Sequence, residues 1–299
     1  MEVRIIILNY NTALLTLQCV DYILKQNYPD SHVLIIDNGS LQKNYDELAS
    51  QIPKEVRLIR FEDNAGFAAG NNRGCGRIDG LPDADYYLFV NSDAFLTQAD
   101  TIRDLKNELS QRPNAVAISP LVHTTSNPVP VRSQIQVRRL LSAGWLVVCH
   151  SPILRRLPYI NKRYLQFIYR DLVPYQSKIY EVDSINGAVF MVKSDFLHQI
   201  GLLDGGTFLY LEELILGEQI RRENKRCLLH GGVIVPHIQG ATSGSQRGKT
   251  SRRSFNYFVE SEAYLFRKYH KYSNLKLSGL RKLRLFEFFV KSFLARFNL

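Results

Sequence analysis

Runs of aliphatic and β-branched residues recur through the first 120 positions, each ended by a polar cluster and followed by helical spacing. Val3 to Leu8 (VRIIIL) reads as a strand. Thr12 to Gln26 follows with apolar residues at Leu14, Leu17, Val20 and Ile23 or Leu24, which predicts a helix. His32 to Ile36 (HVLII) is a second strand, closed by the turn residues Asp37-Asn38-Gly39-Ser40, with a helix over Gln42 to Gln51. Val56 to Phe61 is a third strand. Beyond Glu62 to Ala65 comes a helix whose Gly66, Ala68, Ala69, Gly70 and Gly74 permit close backbone approach. Tyr86 to Val90 (YYLFV) is a fourth strand, Thr101 to Ser110 a helix, and Ala115 to Ser119 a fifth strand. This alternation predicts a parallel, right-handed, doubly wound sheet with helices on both faces.

The periodicity then weakens. His123 to Tyr180 mixes Pro, basic and aromatic residues and predicts an excursion with short helices. Order resumes with a strand pair over Glu181 to Val192, turning around Asn186-Gly187. A short helix over Ser194 to Ile200 has Ser194 as a possible N-cap. Leu211 to Glu223 predicts a helix and Cys227 to Val235 another strand.

Length and composition add little until charge is placed along the chain. The 299 residues allow one large α/β domain with an appendage. The formal charge of +10 lies wholly in the tail: Arg247 to Leu299 holds 13 Lys/Arg and 3 Asp/Glu, and the first 246 residues carry 25 of each. A basic end on a neutral body implies an anionic partner. The four cysteines, Cys19, Cys75, Cys149 and Cys227, have no metal-type spacing, and reduced thiols are expected. No signal peptide or 18-residue uncharged apolar run is expected, which fits a cytoplasmic protein.

Four polar clusters end apolar elements in order: Asn9-Tyr10-Asn11, Asp37 to Ser40, Asn64-Ala65-Gly66 through Asn72, and Asn91-Ser92-Asp93. Each alone reads equally as a turn, Asp93 included. If the first four strands are parallel neighbours, all four clusters meet on one rim, where open α/β sheets bind nucleotides. Asp37 could accept from a base imide there, the Gly-rich segment lets backbone approach ribose or phosphate, and Asp93 suits Mg²⁺ or Mn²⁺ beside a diphosphate.

The segments ILNYN, IIDNGS, NAGFAAGNNRG and FVNSD, in this order and spacing, resemble the N-terminal half of family 2 glycosyltransferases, particularly the rhamnosyltransferase-like branch. INGAVFMVKSDFLHQIGLLDGGTFLYLEELILGEQIRRENKRCLLHGGVIVPHIQG resembles that branch's acceptor-side half, so the resemblance covers Val3 to Ser243, with the excursion poorly matched. It implies an α/β fold of the GT-A, Rossmann-like kind, mostly parallel, with a C-terminal helical extension. It implies a domain over 1–245, divided into a nucleotide-sugar half (1–120), the excursion (121–180) and an acceptor half (181–245), with a tail over 246–299. Carried over by position, Asn91-Ser92-Asp93 stands at the metal motif usually written DxD, with Asp93 as the main contact. His237 matches a His often near metal and diphosphate, though a structural His after Pro236 reads equally well. Asp37 stands at the nucleoside-binding acid, and Gly70, Asn72 and Gly74 at the Gly-x-Asn-x-Gly positions. Asn9, Asn11, Asn38, Asn64, Gly66 and Asn91 complete the expected nucleotide site. Glu212-Glu213 matches a Glu-Asp pair whose second acid is the base, so Glu213 inherits that role with a side chain one methylene longer. Both acids also suit the first turn of a helix, where the dipole favours them. Arg221 matches a helix Arg expected to pair with an acid.

The resemblance implies an inverting, metal-dependent transferase, with Mg²⁺ or Mn²⁺, that moves a rhamnose-type sugar from a dTDP- or UDP-sugar to a glycan or glycolipid acceptor. A hexosyl or N-acetylhexosaminyl transferase using a UDP-sugar is the alternative within the class, and a non-catalytic nucleotide-sugar-binding scaffold the alternative outside it. A nucleotidyltransferase would need a Gly-rich loop with a phosphate-binding Lys near the first strand, and none is present. In the tail, Leu283, Phe286, Val290, Phe293 and Phe297 follow 3,4 spacing, widened by Leu285, Phe289 and Leu294, with Arg281, Arg284 and Lys291 opposite. Such a helix lies on an anionic membrane surface or packs on its own body. Arg247 to Arg253 (RGKTSRR) reads as a mobile loop able to order over phosphates, and no nucleic-acid module is visible.

Overall fold

The structure, a computed structural model, describes residues 1–125, 129–238 and 251–296. Strand β1 (Val3–Asn9) is followed by α1 (Ala13–Leu24), β2 (Ser31–Asn38), α2 (Gln42–Ala49), β3 (Arg57–Phe61), α3 (Phe67–Asn72), β4 (Tyr86–Asn91), α4 (Thr101–Ser110) and β5 (Ala115–Thr124). The excursion holds α5 (Ala143–His150) and α6 (Pro158–Phe167) among short 3-10 turns. Then come β6 (Ile179–Val182), β7 (Val189–Lys193), α7 (Ser194–Gln199), α8 (Glu212–Arg222), β8 (Arg226–His237), α9 (Arg252–Lys268) and α10 (Asn274–Arg296).

The strands form one mixed sheet in the order β3-β2-β1-β4-β7-β5-β8-β6. The first four are parallel neighbours, β7 enters antiparallel between β4 and β5, β8 runs parallel to β5, and β6 closes the edge antiparallel to β8. Glu181 to Val192 therefore contains two strands that do not pair with each other. The residues between them are bonded elsewhere: Ser184 Oγ accepts from the Arg138 amide at 2.9 Å and donates to its carbonyl at 2.8 Å, and the Asn186 amide donates to Ser119 Oγ at 3.1 Å. Ser194 is the first residue of α7 rather than its cap, Lys193 being the N-cap.

Strands buried on both faces have no polar face to spare, which is why they read as continuous apolar runs. Val3, Ile5, Ile7, Leu88 and Val90 pack one core, and Ile6, Leu34, Tyr87, Phe89 and Phe190 the other. Phe89 and Phe190, register partners across β4 and β7, stack with centroids 4.8 Å apart. All four cysteines are free.

A third core, with Leu146, Leu214, Ile215, Phe266, Leu277 and Leu280, joins α5, α8, α9 and α10. Beside it lies a buried charge cluster. Arg284 donates to both carboxylate oxygens of Glu262 (2.8 and 2.9 Å), to Glu287 (2.8 Å) and to the Val147 carbonyl (2.8 Å), while His150 Nδ1 meets Glu262 at 2.7 Å. Burial pushes the Glu262 carboxyl up, but the hydrogen bonds from His150 and Arg284 outweigh it and hold the group below the usual carboxylate range. This cluster corrects the expected helix face. Arg284, read as outward and polar, is buried, whereas Phe286 and Phe289 are 61% and 64% exposed. The side chains of Lys291, Phe293 and Leu294, and Phe297 itself, lie outside the described residues, as do 247–250 of the basic loop. Among the described residues no helix is long and apolar enough to cross a membrane.

Removing one member of such a cluster strands the others in low dielectric. Arg284→Ala is expected to cost about 3–5 kcal/mol of stability, read from the midpoint of urea unfolding.

Candidate active site

The register of β1 with its neighbours brings the polar clusters together: Asn9 lies opposite Asp37, and Leu8 opposite Asn91. The side chains then divide into two layers. Asn9 and Asp37 are fully buried beneath the rim. Asn9 Nδ2 donates to Asp37 Oδ2 at 2.6 Å and to Ser40 Oγ at 3.1 Å, and Asn9 Oδ1 accepts from the hydroxyls of Thr12 (3.1 Å) and Thr16 (2.9 Å). Asn11, at φ 58°, accepts the Leu41 amide at 2.8 Å. Asn72 exchanges two hydrogen bonds with the backbone of Leu203, at 2.7 and 3.1 Å. Gly70 has no room for a Cβ, which would stand 2.8 Å from Asn38 Nδ2. Asn9, Asn11, Asp37, Gly70 and Asn72 thus position loops.

The upper layer lines a cavity of 210 Å³. Of the expected residues Asn38, Asn64, Gly66 and Asn91 line it, with Leu8, Tyr10, Phe67 and Ser92. Asn38 Nδ2 donates to Asn64 Oδ1 at 3.0 Å and to the Gly66 carbonyl at 3.1 Å. Gly66, at φ 84°, is required where it stands, because a Cβ would meet the Phe208 carbonyl at 2.4 Å.

Asp93 and His237 lie together at the ends of β4 and β8. The Phe95 amide donates to the Pro236 carbonyl and the Ile238 amide to the Asp93 carbonyl, both at 2.9 Å, so backbone fixes both side chains. Asp93 is 1% exposed, and His237 Nε2 stands 3.0 Å from its Oδ1. That contact lacks hydrogen-bond geometry, and Oδ1 is buried without a hydrogen-bond partner. An orphaned buried carboxylate oxygen beside an imidazole nitrogen fits a divalent cation, since adjacent ligands at ~2.1 Å stand about 3 Å apart in an octahedron. Among the described residues no group of three or more His, Cys, Asp or Glu could hold a metal. A cation held by this pair would take its further ligands from outside it.

Glu212 and Glu213 open α8 after a turn in which Tyr210 and Leu211 both take positive φ, 79° and 71°. They share a small recess with Phe67, Gly187, Leu203 and Asp204. Arg138, from the segment leading to α5, donates to Glu213 Oε1 at 3.1 Å. Burial, with the Glu213 charge second, pushes the Glu212 carboxyl up to about 8. Arg221 pairs with Glu218 at 2.6 Å, away from this recess.

The profile of the family described as Glycosyl transferase family 2 matches residues 4–176. The chain belongs to this family. Similar to this family 2 chain are Glycosyltransferase GlyG of Streptococcus pneumoniae (26% identical, 39% of this chain, 38% of that one) and O-antigen chain rhamnosyltransferase RfbN of Salmonella typhimurium (31%, 45% and 42%). N-acetylglucosaminyl-diphospho-decaprenol L-rhamnosyltransferase of Mycobacterium tuberculosis is 24% identical over 71% of this chain and 68% of its own length. The chain thus spans about two fifths of GlyG and RfbN. A crystal structure of GalNAc-T7 with UDP, GalNAc and Mn²⁺ superposes at a TM-score of 0.59 and 15% identity, covering 96% of this chain and 55% of that one. It shares the GT-A fold.

The sequence predicts a helical tail but does not place its first helix, α9, against the site, and Arg252 and Arg253, expected in a loop, open that helix. Ser251, Arg253, Ser254 and Tyr257 line the 210 Å³ cavity, and Tyr257 stacks on Phe208 with centroids 4.6 Å apart. One turn on, Ser261 Oγ donates to the Leu209 carbonyl at 2.8 Å. Asp204, in the carboxylate recess, accepts from Tyr264 (2.7 Å), Tyr269 (2.5 Å) and Lys268 (2.8 Å). Ser251 as a cap before Phe255, Phe258, Leu265 and Phe266 was the available signal. Arg138 had none, lying in an aperiodic segment.

Because the folded Glu212 holds a proton that the unfolded chain releases from pH 4.5 upward, it lowers stability progressively until about pH 8. Glu212→Gln is expected to gain about 1–3 kcal/mol relative to the parent at pH 8 and nothing at pH 4, by urea unfolding at both pH values.

Proposed function

We propose that the chain is an inverting, divalent-metal-dependent glycosyltransferase. It moves a rhamnose-type sugar from a nucleoside-diphosphate sugar to a hydroxyl of a lipid-linked surface-polysaccharide acceptor at the cytoplasmic face of the membrane. The observation that carries this reading is that Phe67 borders both the nucleotide cavity and the recess of Glu212 and Glu213. A donor seated in the first presents its sugar to the second. The relatives named as an O-antigen chain rhamnosyltransferase and an N-acetylglucosaminyl-diphospho-decaprenol L-rhamnosyltransferase support the sugar and the acceptor class.

The nucleoside lies against Tyr10, Asn38 and Asn64, with the stacked Phe208 and Tyr257 as aromatic lining. Asn9 and Asp37 act from below by holding the loops that carry those groups. Asp93 and His237 would hold Mg²⁺ or Mn²⁺, which would supply stabilisation of the negative charge on the departing diphosphate. Of the two glutamates, Glu212 is pushed up to about 8 by burial and by the Glu213 charge, which favours its protonated form at neutral pH. Glu213 takes the acceptor proton. Its Oε1 is engaged by Arg138, and its Oε2 faces Gly187, where the absence of a side chain leaves space for a hydroxyl.

Release of nucleoside diphosphate from UDP-, dTDP- and GDP-sugars, with Mg²⁺ or Mn²⁺ and then chelator, tests the reading. Glu213→Gln is expected to lower turnover about 10²–10⁴-fold with nucleotide affinity unchanged, and chelator or Asp93→Ala to abolish it. Unchanged turnover in Glu213→Gln removes the base, and turnover of a UDP-hexose alone removes the rhamnose-type donor.

A further inference from the structure

Charge in this protein follows architecture. Residues 121–180 and 247–299, which supply α5, α6, α9 and α10, carry 22 Lys/Arg against 4 Asp/Glu, whereas the rest of the chain carries 16 against 24. A body of formal charge −8 thus bears helices and their connections of +18. Among the described residues, the same helices hold all the large exposed aromatics: Tyr159 of α6 (63% exposed) and Phe286 and Phe289 of α10 (61% and 64%). Leu157, Leu165, Leu275 and Leu285 stand exposed beside them, and Arg156, Lys162 and Arg163 on or beside α6 and Lys276, Arg281 and Lys282 on α10 are exposed too.

This patch is not a core face awaiting burial against its own chain. The inner side of α10 is already taken by Leu277, Leu280, Arg284 and Glu287. Both helices are anchored to α5, α6 by packing and α10 through the bond from Arg284 to the Val147 carbonyl at 2.8 Å. Phenylalanines one turn apart among lysines and arginines are ill-suited to water and well-suited to a bilayer interface, with rings at headgroup depth and cations on anionic lipid.

We infer that the outward faces of α6 and α10 form a membrane-docking surface for an anionic bilayer, seated in the interface rather than across it. The inference rests on the proposed transfer to a lipid-linked acceptor for its purpose, and names the surface that brings the chain to it. The segment between the two sites is short: Arg138, which pairs with Glu213, leads directly into α5.

Cosedimentation of the full chain with phosphatidylcholine vesicles, and with vesicles that also contain phosphatidylglycerol, tests it. Binding to the anionic vesicles alone is expected, weakening with salt. Phe286→Ser with Phe289→Ser should lower the partition coefficient about tenfold or more, and Leu157→Ser with Tyr159→Ser should lower it too. Nucleotide affinity should be equal in all three proteins. Equal binding to both vesicle types, or parental binding by both variants, overturns the inference. So does a dimer, seen by light scattering, that the Phe286/Phe289 variant dissociates. Vesicle binding by a chain that binds no donor supports docking and overturns the transfer reading instead.

Discussion

Polar groups buried at the carboxyl end of the sheet are cut off from water, so most are met by another group of the chain, Asp93 Oδ1 being an exception. The Asn9 amide is where that requirement is satisfied for the first two loops at once. Its nitrogen serves Asp37 at the end of β2 and Ser40 beyond it, and its oxygen serves Thr12 and Thr16 at the start of α1. Thr12 in turn shares a hydroxyl contact of 2.9 Å with Ser92, beside Asp93. The loops after β1, β2 and β4 are therefore joined by one set of buried side-chain hydrogen bonds.

The roof is a different kind of structure. Helix α9 touches the 210 Å³ cavity at its amino end and clamps Asp204, beside the carboxylates, at its carboxyl end. It is fastened by side-chain bonds from Tyr264, Tyr269 and Lys268 that hold the Asp204 carboxyl below its usual range although burial opposes them. One helix from the basic tail thus reaches both the cavity and the carboxylate recess.

What could be read in the sequence is what periodicity encodes. The first four strands, their polar ends and the Glu pair are local patterns, and the fold keeps them where the patterns put them. The antiparallel entry of β7 was not legible, because a buried strand looks the same in either direction. Nor was the depth of Asp37: an acid at a strand end reads as a ligand whether it faces substrate or a neighbouring loop. The α10 face was misread for a physical reason. An amphipathic pattern assigns cations to water, and Arg284 instead lies between two carboxylates, which turns the helix and leaves the phenylalanines outside.

Arg138 belongs to the least patterned segment of the chain, yet it supplies the counter-charge to Glu213. Loops of this kind diverge most readily between relatives, since little packing restrains them. The excursion and the electrostatic setting of the carboxylate pair are accordingly inherited as one unit. A chimera that imported another excursion would import a new counter-charge for Glu213 with it.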